Sequence, residues 1–220
     1  MQKLIVIEGA CDGIGKTTQY NKLYEHLIND GEKVIKHHFP SYNTTQGLPV
    51  EKYLKGEYGS QDKLSPFFIN RLYALDRAVT WYAKLKELYE NGYNILLDRY
   101  TTSSLFYQSA LMKTEEEKIA FINHVNFFEY EELAIKKPDQ IIFLTAPYDL
   151  ITKLRTTREN NDGIKNDIHE SNKEFMKKVY DNAIFMANYL KWDIVECNNN
   201  NKMKNIDEIH DEVYRLIRKK

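Results

Sequence analysis

Ten residues near the start of the chain restrict its fold more than any others: Gly9-Ala10-Cys11-Asp12-Gly13-Ile14-Gly15-Lys16-Thr17-Thr18. They follow the apolar run Leu4–Ile7 and Glu8, and a helical pattern begins directly after them. A strand that feeds a glycine-rich turn and then a helix is the context a P-loop needs. Glycines let successive backbone N–H groups converge on phosphate oxygens, and the helix N-terminus adds partial positive charge. Lys16 is placed to bridge the β- and γ-phosphates of ATP and the Thr17 hydroxyl to ligate Mg²⁺, while Gly13, Gly15 and Thr18 complete the nucleotide-binding loop. The usual pattern has about four residues between its first glycine and the Gly-Lys pair. Here five separate Gly9 from Gly15, so either the loop carries an extra residue or Ala10 stands at the first-glycine place.

The rest of the chain alternates short β-branched runs with long helical patterns, which predicts a parallel sheet covered on both faces. The expected strands are Leu4–Glu8, Val34–Phe39, Asn94–Asp98, Gln140–Thr145 and Asp193–Cys197. Ser65-Pro66 opens a long helix that should run towards Asn91-Gly92, and Gly31 should stop the first helix. Apolar stripes at helical spacing mark two further helices, one from Phe175 to Leu190 and one from Ile206 to Ile217; they are core packing. At 220 residues the chain fits one domain, 1–220. A net charge of -1 gives no case for a nucleic-acid surface, and no membrane span or signal segment is visible. Two cysteines, Cys11 and Cys197, make no disulfide framework, which suits a reducing, cytoplasmic setting. The polar stretches Arg158–Asp167 and Asn198–Asn205 read as mobile loops.

The third strand ends in Asp98-Arg99-Tyr100. A carboxylate at the end of a strand beside the first can reach the Mg²⁺ shell, and Arg99 can neutralise charge on a moving phosphoryl group. The stretch Asp98-Arg99-Tyr100-Thr101-Thr102-Ser103-Ser104-Leu105-Phe106-Tyr107-Gln108 resembles the signature of thymidylate kinases. The likeness continues in Ile7-Glu8-Gly9 with Asp12-Gly13, in Phe39-Pro40 with Thr45, Gly47 and Tyr53-Leu54, and in Leu72-Tyr73-Ala74-Leu75-Asp76-Arg77. Pro138-Asp139 and Asp167-Ile168-His169-Glu170, with Phe175 and Val179, extend it over almost the whole chain.

The resemblance implies a five-stranded parallel α/β sheet flanked by helices, with both nucleotides over the carboxyl ends of the strands. It implies transfer of the γ-phosphate of ATP to dTMP, and a homodimer formed through surface helices. Tyr73 would stack on thymine and Arg77 contact the base carbonyl, roles that a π-face and a guanidinium fork both suit. Ser104 and Gln108 match positions near base and sugar, Tyr107 one that crowds the sugar 2′ position, and Phe39 a wall of the acceptor pocket. Asp12 matches the carboxylate that accepts from the 3′-hydroxyl, and Glu170 is counted among the acceptor-binding residues. Many members carry an arginine just after Phe-Pro; here Ser41, Tyr42 and Asn43 follow, which leaves the Tyr42 hydroxyl and Arg99 for the acceptor phosphate.

Transfer also needs a cation over the moving phosphoryl group. Gly13 follows Asp12, so the loop supplies only Lys16, and a lid at about 155–170 should provide the rest. Within it Arg155 or Arg158 should stack on adenine, and Lys165 is the candidate transition-state cation. Catalysis then rests on positioning and charge neutralisation by Lys16, Arg99, Asp12, Lys165 and Mg²⁺ held by Thr17 and Asp98. The readings that compete are a kinase for another deoxynucleoside or pyrimidine monophosphate, a P-loop switch, and a crippled kinase with a stretched loop. Cys11, beside Lys16 and a helix N-terminus, should have its thiolate favoured if solvent reaches the sulfur; otherwise it is buried and inert.

Overall fold

The computed structural model describes residues 2–162 and 172–219, the side chains of 156–162 excepted. Its sheet has five parallel strands: β1 (Leu4–Gly9), β2 (Val34–His38), β3 (Asn94–Asp98), β4 (Gln140–Thr145) and β5 (Asp193–Glu196), in the order β2-β3-β1-β4-β5. All six residues of β1, Leu-Ile-Val-Ile-Glu-Gly, are buried, as a central strand with helices on both faces requires. Side chains alternate between faces. Leu4 and Val6 join Phe39, Trp81, Leu97 and Tyr100 on one face, while Ile5 and Ile7 join Leu27, Phe106, Phe143 and Val179 on the other.

The helices are α1 (Lys16–Asn29), α2 (Leu48–Leu54), α3 (Pro66–Thr80), α4 (Lys86–Glu90), α5 (Thr101–Tyr107), α6 (Glu115–Asn126), α7 (Tyr148–Asp162), α8 (Lys173–Tyr189) and α9 (Ile206–Lys219). The helix expected between Ser65-Pro66 and Asn91-Gly92 is present, but a π-helical segment at Trp81–Leu85 joins α3 to α4. A second π-helical segment, Phe127–Glu132, follows α6. Thr114 and Glu117 form a capping box that starts α6, a sequence cue made by side chains rather than by apolar spacing.

Two expectations change. The stretch Asn198–Asn205 is not a featureless loop: β6 (Asn198–Asn199) and β7 (Lys202–Met203) pair as an antiparallel hairpin. Asn200 and Asn201 take φ of 48° and 59°, a left-handed conformation that asparagine tolerates in tight hairpin turns. Backbone pairing orders the segment, Met203 packs against the core, and Lys204 ties it to Glu212 of α9 at 2.7 Å. The stretch Arg158–Asp167 is helical as far as Asp162, where α7 ends, and its remainder lies outside the described residues.

Helix α1, which carries the phosphate loop's lysine, is clamped to α9. Gln19 Nε2 donates to the Ile206 carbonyl at 2.8 Å, His26 and His210 share a hydrogen bond of 2.8 Å, and His26 stacks on Tyr214 with centroids 3.8 Å apart. At the end of β2, His37 shares a hydrogen bond of 3.0 Å with the Ser41 hydroxyl. Burial, and then the charges of Lys84 and His38, push its imidazole down to about 4. The unfolded chain therefore binds the proton first. The stability His37 contributes is complete above the ordinary histidine value and is lost as pH falls from there towards about 4. Melting temperature should thus drop between pH 7 and pH 5, and the drop should be shallower in His37→Gln, as thermal unfolding across a pH series will measure.

Candidate active site

Strand pairing runs into the start of the phosphate loop. Pairing of β1 with β4 continues through Gly9, opposite Leu144, and the Ala10 N–H still donates to the Leu144 carbonyl at 3.1 Å. Strand pairing thus reaches Ala10, and four residues, Cys11 to Ile14, intervene before Gly15. At Gly9 a Cβ would come within 2.8 Å of Ile14 Cγ2 and 3.7 Å of Lys16 Cδ, so the loop folds back over Gly9 where only glycine fits. Gly13 and Gly15 have φ of 95° and 92°, which glycine adopts without strain. Gly15 caps α1 with no side-chain hydrogen bond, so the first N–H groups of that 14-residue helix remain suited to an anion. Arg155 of α7 lies directly over the loop: a Cβ on Gly13 would come within 3.2 Å of its own Cβ.

The register of β1 on β3 sets Ile7 against Asp98 and brings the two strand ends together. Lys16 Nζ pairs with Asp98 Oδ1, and His38 Nδ1 lies 3.2 Å from Asp98 Oδ2. Burial alone would raise the Asp98 carboxyl, but the His38 hydrogen bond and the charges of Lys16 and Arg99 hold it well below the usual carboxylate range. Arg99 takes φ +66°, uncommon outside glycine. Its guanidinium reaches back to the loop, where it pairs with Asp12 and lies 3.8 Å from Glu8 Oε1. Burial would raise Asp12 too, yet Arg99, Lys16 and Arg155 outweigh it and keep that carboxyl low. Glu8, fully buried, accepts from Thr102 Oγ1 at 2.9 Å and Ser103 Oγ at 2.6 Å. For Glu8 burial wins over these donors and the nearby cations, and its carboxyl is raised.

Asp12, Lys16, His38 and Arg99 of this cluster line a cavity of about 370 Å³, while Asp98 and Glu8 stay buried behind them. Asp12, Lys16 and Thr17 line it from the phosphate loop, His38, Pro40 and Tyr42 from the end of β2, and Leu54 and Tyr73 from α2 and α3. Arg99, Ser103, Ser104, Tyr107 and Gln108 complete the wall along α5. Lys16 and Arg99, with the carboxylate of Asp12, give the cavity its charged groups, and the rest of its lining offers aromatic rings, hydroxyls and an amide. Gln108 Oε1 is buried with no hydrogen-bond partner among the described residues. The arrangement suits a phosphate next to a flat polar ring, which is the outline of a nucleoside monophosphate lying beside a P-loop.

Comparison with known proteins decides the family, for the thymidylate kinase family model matches residues 7–213. The chain belongs to the thymidylate kinase family. A probable thymidylate kinase of Saccharolobus solfataricus is 31% identical over 223 aligned residues, spanning 100% of this chain and 98% of that protein. The thymidylate kinase of Caldicellulosiruptor saccharolyticus is 29% identical over 98% of this chain and 95% of its own. The solved thymidylate kinase of Candida albicans shares the fold with a TM-score of 0.73 at 24% identity, over 99% of this chain and 92% of that one.

Within this thymidylate kinase fold, nine expected site residues line this cavity: Asp12, Lys16, Thr17, Tyr42, Tyr73, Arg99, Ser104, Tyr107 and Gln108. Two expected acceptor contacts do not. Phe39, 2% exposed, points into the core against Tyr100, and Pro40 and Tyr42 take its place on the wall. Arg77, also 2% exposed, closes its fork on Glu129, with Nε to Oε2 at 2.7 Å and Nη2 to Oε1 at 2.6 Å. It touches the cavity only through Ser104, whose Oγ accepts from Nη2 at 3.1 Å. A guanidinium buried in an α/β core needs a carboxylate, and the π-helical segment after α6 delivers one. The side chain of Arg158, and all of Lys165 and Glu170, lie outside the described residues.

Sequence reasoning missed two site residues. Glu8 was visible as the one charge in an apolar strand, and His38 as half of a histidine pair before Phe39-Pro40. Cys11 takes the inert alternative. It is 6% exposed, and burial, with Asp12 beside it, pushes the thiol up to about 12, beyond what Arg99 and Arg155 can offset. Iodoacetamide at pH 8 should therefore leave Cys11 unmodified in the folded enzyme and label it after denaturation, as peptide mass spectrometry will read out.

Proposed function

We infer that this protein transfers the γ-phosphate of ATP to dTMP, forming dTDP and ADP. The reading rests above all on one juxtaposition: the phosphate loop's Lys16 and Asp12 meet Arg99 on the floor of a cavity walled by Tyr73, Ser104, Tyr107 and Gln108. A phosphate oxygen of dTMP attacks the γ-phosphorus in line, the bond to the β–γ bridging oxygen breaks, and its electron pair leaves on ADP. The acceptor phosphate is already an anion, so no strong protein base is needed. Lys16 and the N-terminus of α1 hold the triphosphate, and Arg99 spans the acceptor and transferring phosphates. Asp12, held ionised beside Arg99, accepts from the 3′-hydroxyl. Tyr73 carries the base face, while Ser104, Tyr107 and Gln108 carry its edge and the sugar.

The Thr17 hydroxyl and the Asp98 carboxylate are hard oxygen donors of the type Mg²⁺ takes in nucleotide sites, where phosphates supply the remaining ligands. Mg²⁺ supplies charge neutralisation across the β- and γ-phosphates when bound. Arg155, packed over Gly13, lies beside the loop that would hold the donor phosphates; the proposed lid is the stretch at about 155–170, which also carries Arg158, Lys165 and Glu170 in the sequence. Among the described residues no helix is long and apolar enough to cross a membrane, and both cysteines are free and buried, which supports a cytoplasmic role.

The reading is tested by an acceptor panel. ATP-dependent diphosphate formation should be fastest with dTMP, against dUMP, CMP and thymidine, at catalytic enzyme levels. Lys16→Ala should lower kcat by about 10²–10³-fold and leave dTMP affinity, measured by calorimetry, unchanged. A preference for CMP or thymidine, or an equal loss of dTMP binding in the folded variant, would sink the assignment.

We also infer a homodimer. On α3 and the π-helical segment after it, Phe68, Leu75, Val79 and Tyr82 form a stripe at helical spacing in which every member is exposed. Light scattering should give twice the chain mass for the native protein, and Val79→Glu should shift it to the monomer.

A further inference from the structure

Asp98 is held from two sides. Lys16 Nζ takes its Oδ1, and His38 Nδ1 donates to its Oδ2 at 3.2 Å. The residue is 2% exposed, so its carboxylate depends on protein donors rather than on water. The two partners differ in what else claims them. Lys16 opens α1 and lines the cavity, and a bound triphosphate competes for its amine. His38 ends β2 directly opposite Asp98 in the sheet register, so strand pairing fixes its backbone beside that carboxylate. Its ring faces Tyr42, with centroids 5.9 Å apart and planes 23° from parallel.

When Lys16 turns to the phosphates, Oδ1 is released and the carboxylate keeps one anchor. Aspartate χ2 is broad and roughly two-fold, so an unanchored carboxylate swings freely about its last bond. The N–H on Oδ2 stops that swing. The neighbouring His37 cannot substitute, because its ring turns to Ser41 and Phe39. We propose that His38 is a positioning residue of the transfer reaction, which locks Asp98 through Oδ2 so that Oδ1 stays fixed for the divalent cation of the bound nucleotide. This rests on the reading of Asp98 as the carboxylate that serves the cation.

The test measures Mn²⁺ affinity of the enzyme–ADP complex by electron paramagnetic resonance, with the intact chain and four substitutions. Asn places its amide nitrogen where the histidine Nδ1 stands, so His38→Asn should bind Mn²⁺ as the native enzyme does. Gln carries its amide one carbon further out, and Phe keeps a ring for Tyr42 but has no N–H. His38→Gln and His38→Phe should each weaken Mn²⁺ by about 10-fold or more, the range for lost outer hydrogen bonds to a metal ligand. Both should leave ADP affinity without metal unchanged. Asp98→Asn is the control. If it weakens Mn²⁺ while His38→Gln and His38→Phe match the native protein, His38 does not position Asp98 and the proposal is overturned. If Asp98→Asn itself binds Mn²⁺ normally, the assignment of Asp98 is wrong and the proposal falls with it. Should His38→Phe fail to fold, the contrast between Asn and Gln at the same place still decides, since loss in both or in neither contradicts the proposed geometry.

Discussion

Buried carboxylates cannot stand alone, and the architecture of this site follows from having two of them at adjacent strand ends. Glu8 is 0% and Asp98 2% exposed, a position that charged groups hold only when hydrogen-bonded and paired. Asp98 draws Lys16 from α1 and His38 from β2; Glu8 draws Thr102 and Ser103 from α5, with Arg99 alongside. Five elements are therefore joined at the carboxyl edge of the sheet, and Lys16, Asp98 and Arg99 among these groups are ones that the proposed transfer uses. The cations that answer those carboxylates are the ones a transferring phosphoryl group requires, so packing and preorganisation are one arrangement.

The acceptor side works differently. Its wall presents rings, hydroxyls and an amide, and the one strong charge behind it, Arg77, is answered by Glu129 at short range. Arg77 Nη2 donates to Ser104 Oγ, which leaves the Ser104 hydroxyl proton for another partner. The guanidinium thus acts on the cavity through a neutral hydroxyl. Where the resemblance leads one to expect an arginine after Phe-Pro, this chain has Tyr42 stacked on His38, which is why the proposed reaction assigns the acceptor-phosphate charge chiefly to Arg99.

Much of the fold could be read from residues because its signals are local. A strand of six buried residues, a loop with glycine where φ must be positive, and a Ser-Pro start with an Asn-Gly end all act within a few positions. The Asn198–Met203 hairpin escaped because its order comes from backbone pairing and left-handed asparagines, which polarity alone disguises as loop. The site was legible in part for the same reason: Lys16, Asp12 and Thr17 lie in one short run, and Arg99, Ser104, Tyr107 and Gln108 in another. Cys11 shows the limit, since proximity to a lysine argued for a thiolate while the burial that decides its chemistry depends on α7 and α8 packing above.

By itself the sequence determined the alternation of strands and helices, the phosphate loop and its lysine, and the family signature after β3, because each is encoded in neighbours along the chain. Only the tertiary structure decided which oxygen of Asp98 faces Lys16 and which faces His38, that Arg77 is spent on Glu129, and that Phe39 turns into the core. Those outcomes link residues 82, 60, 52 and 61 positions apart in the chain, in that order. Sheet register and helix packing set such separations, and no spacing along the chain carries them.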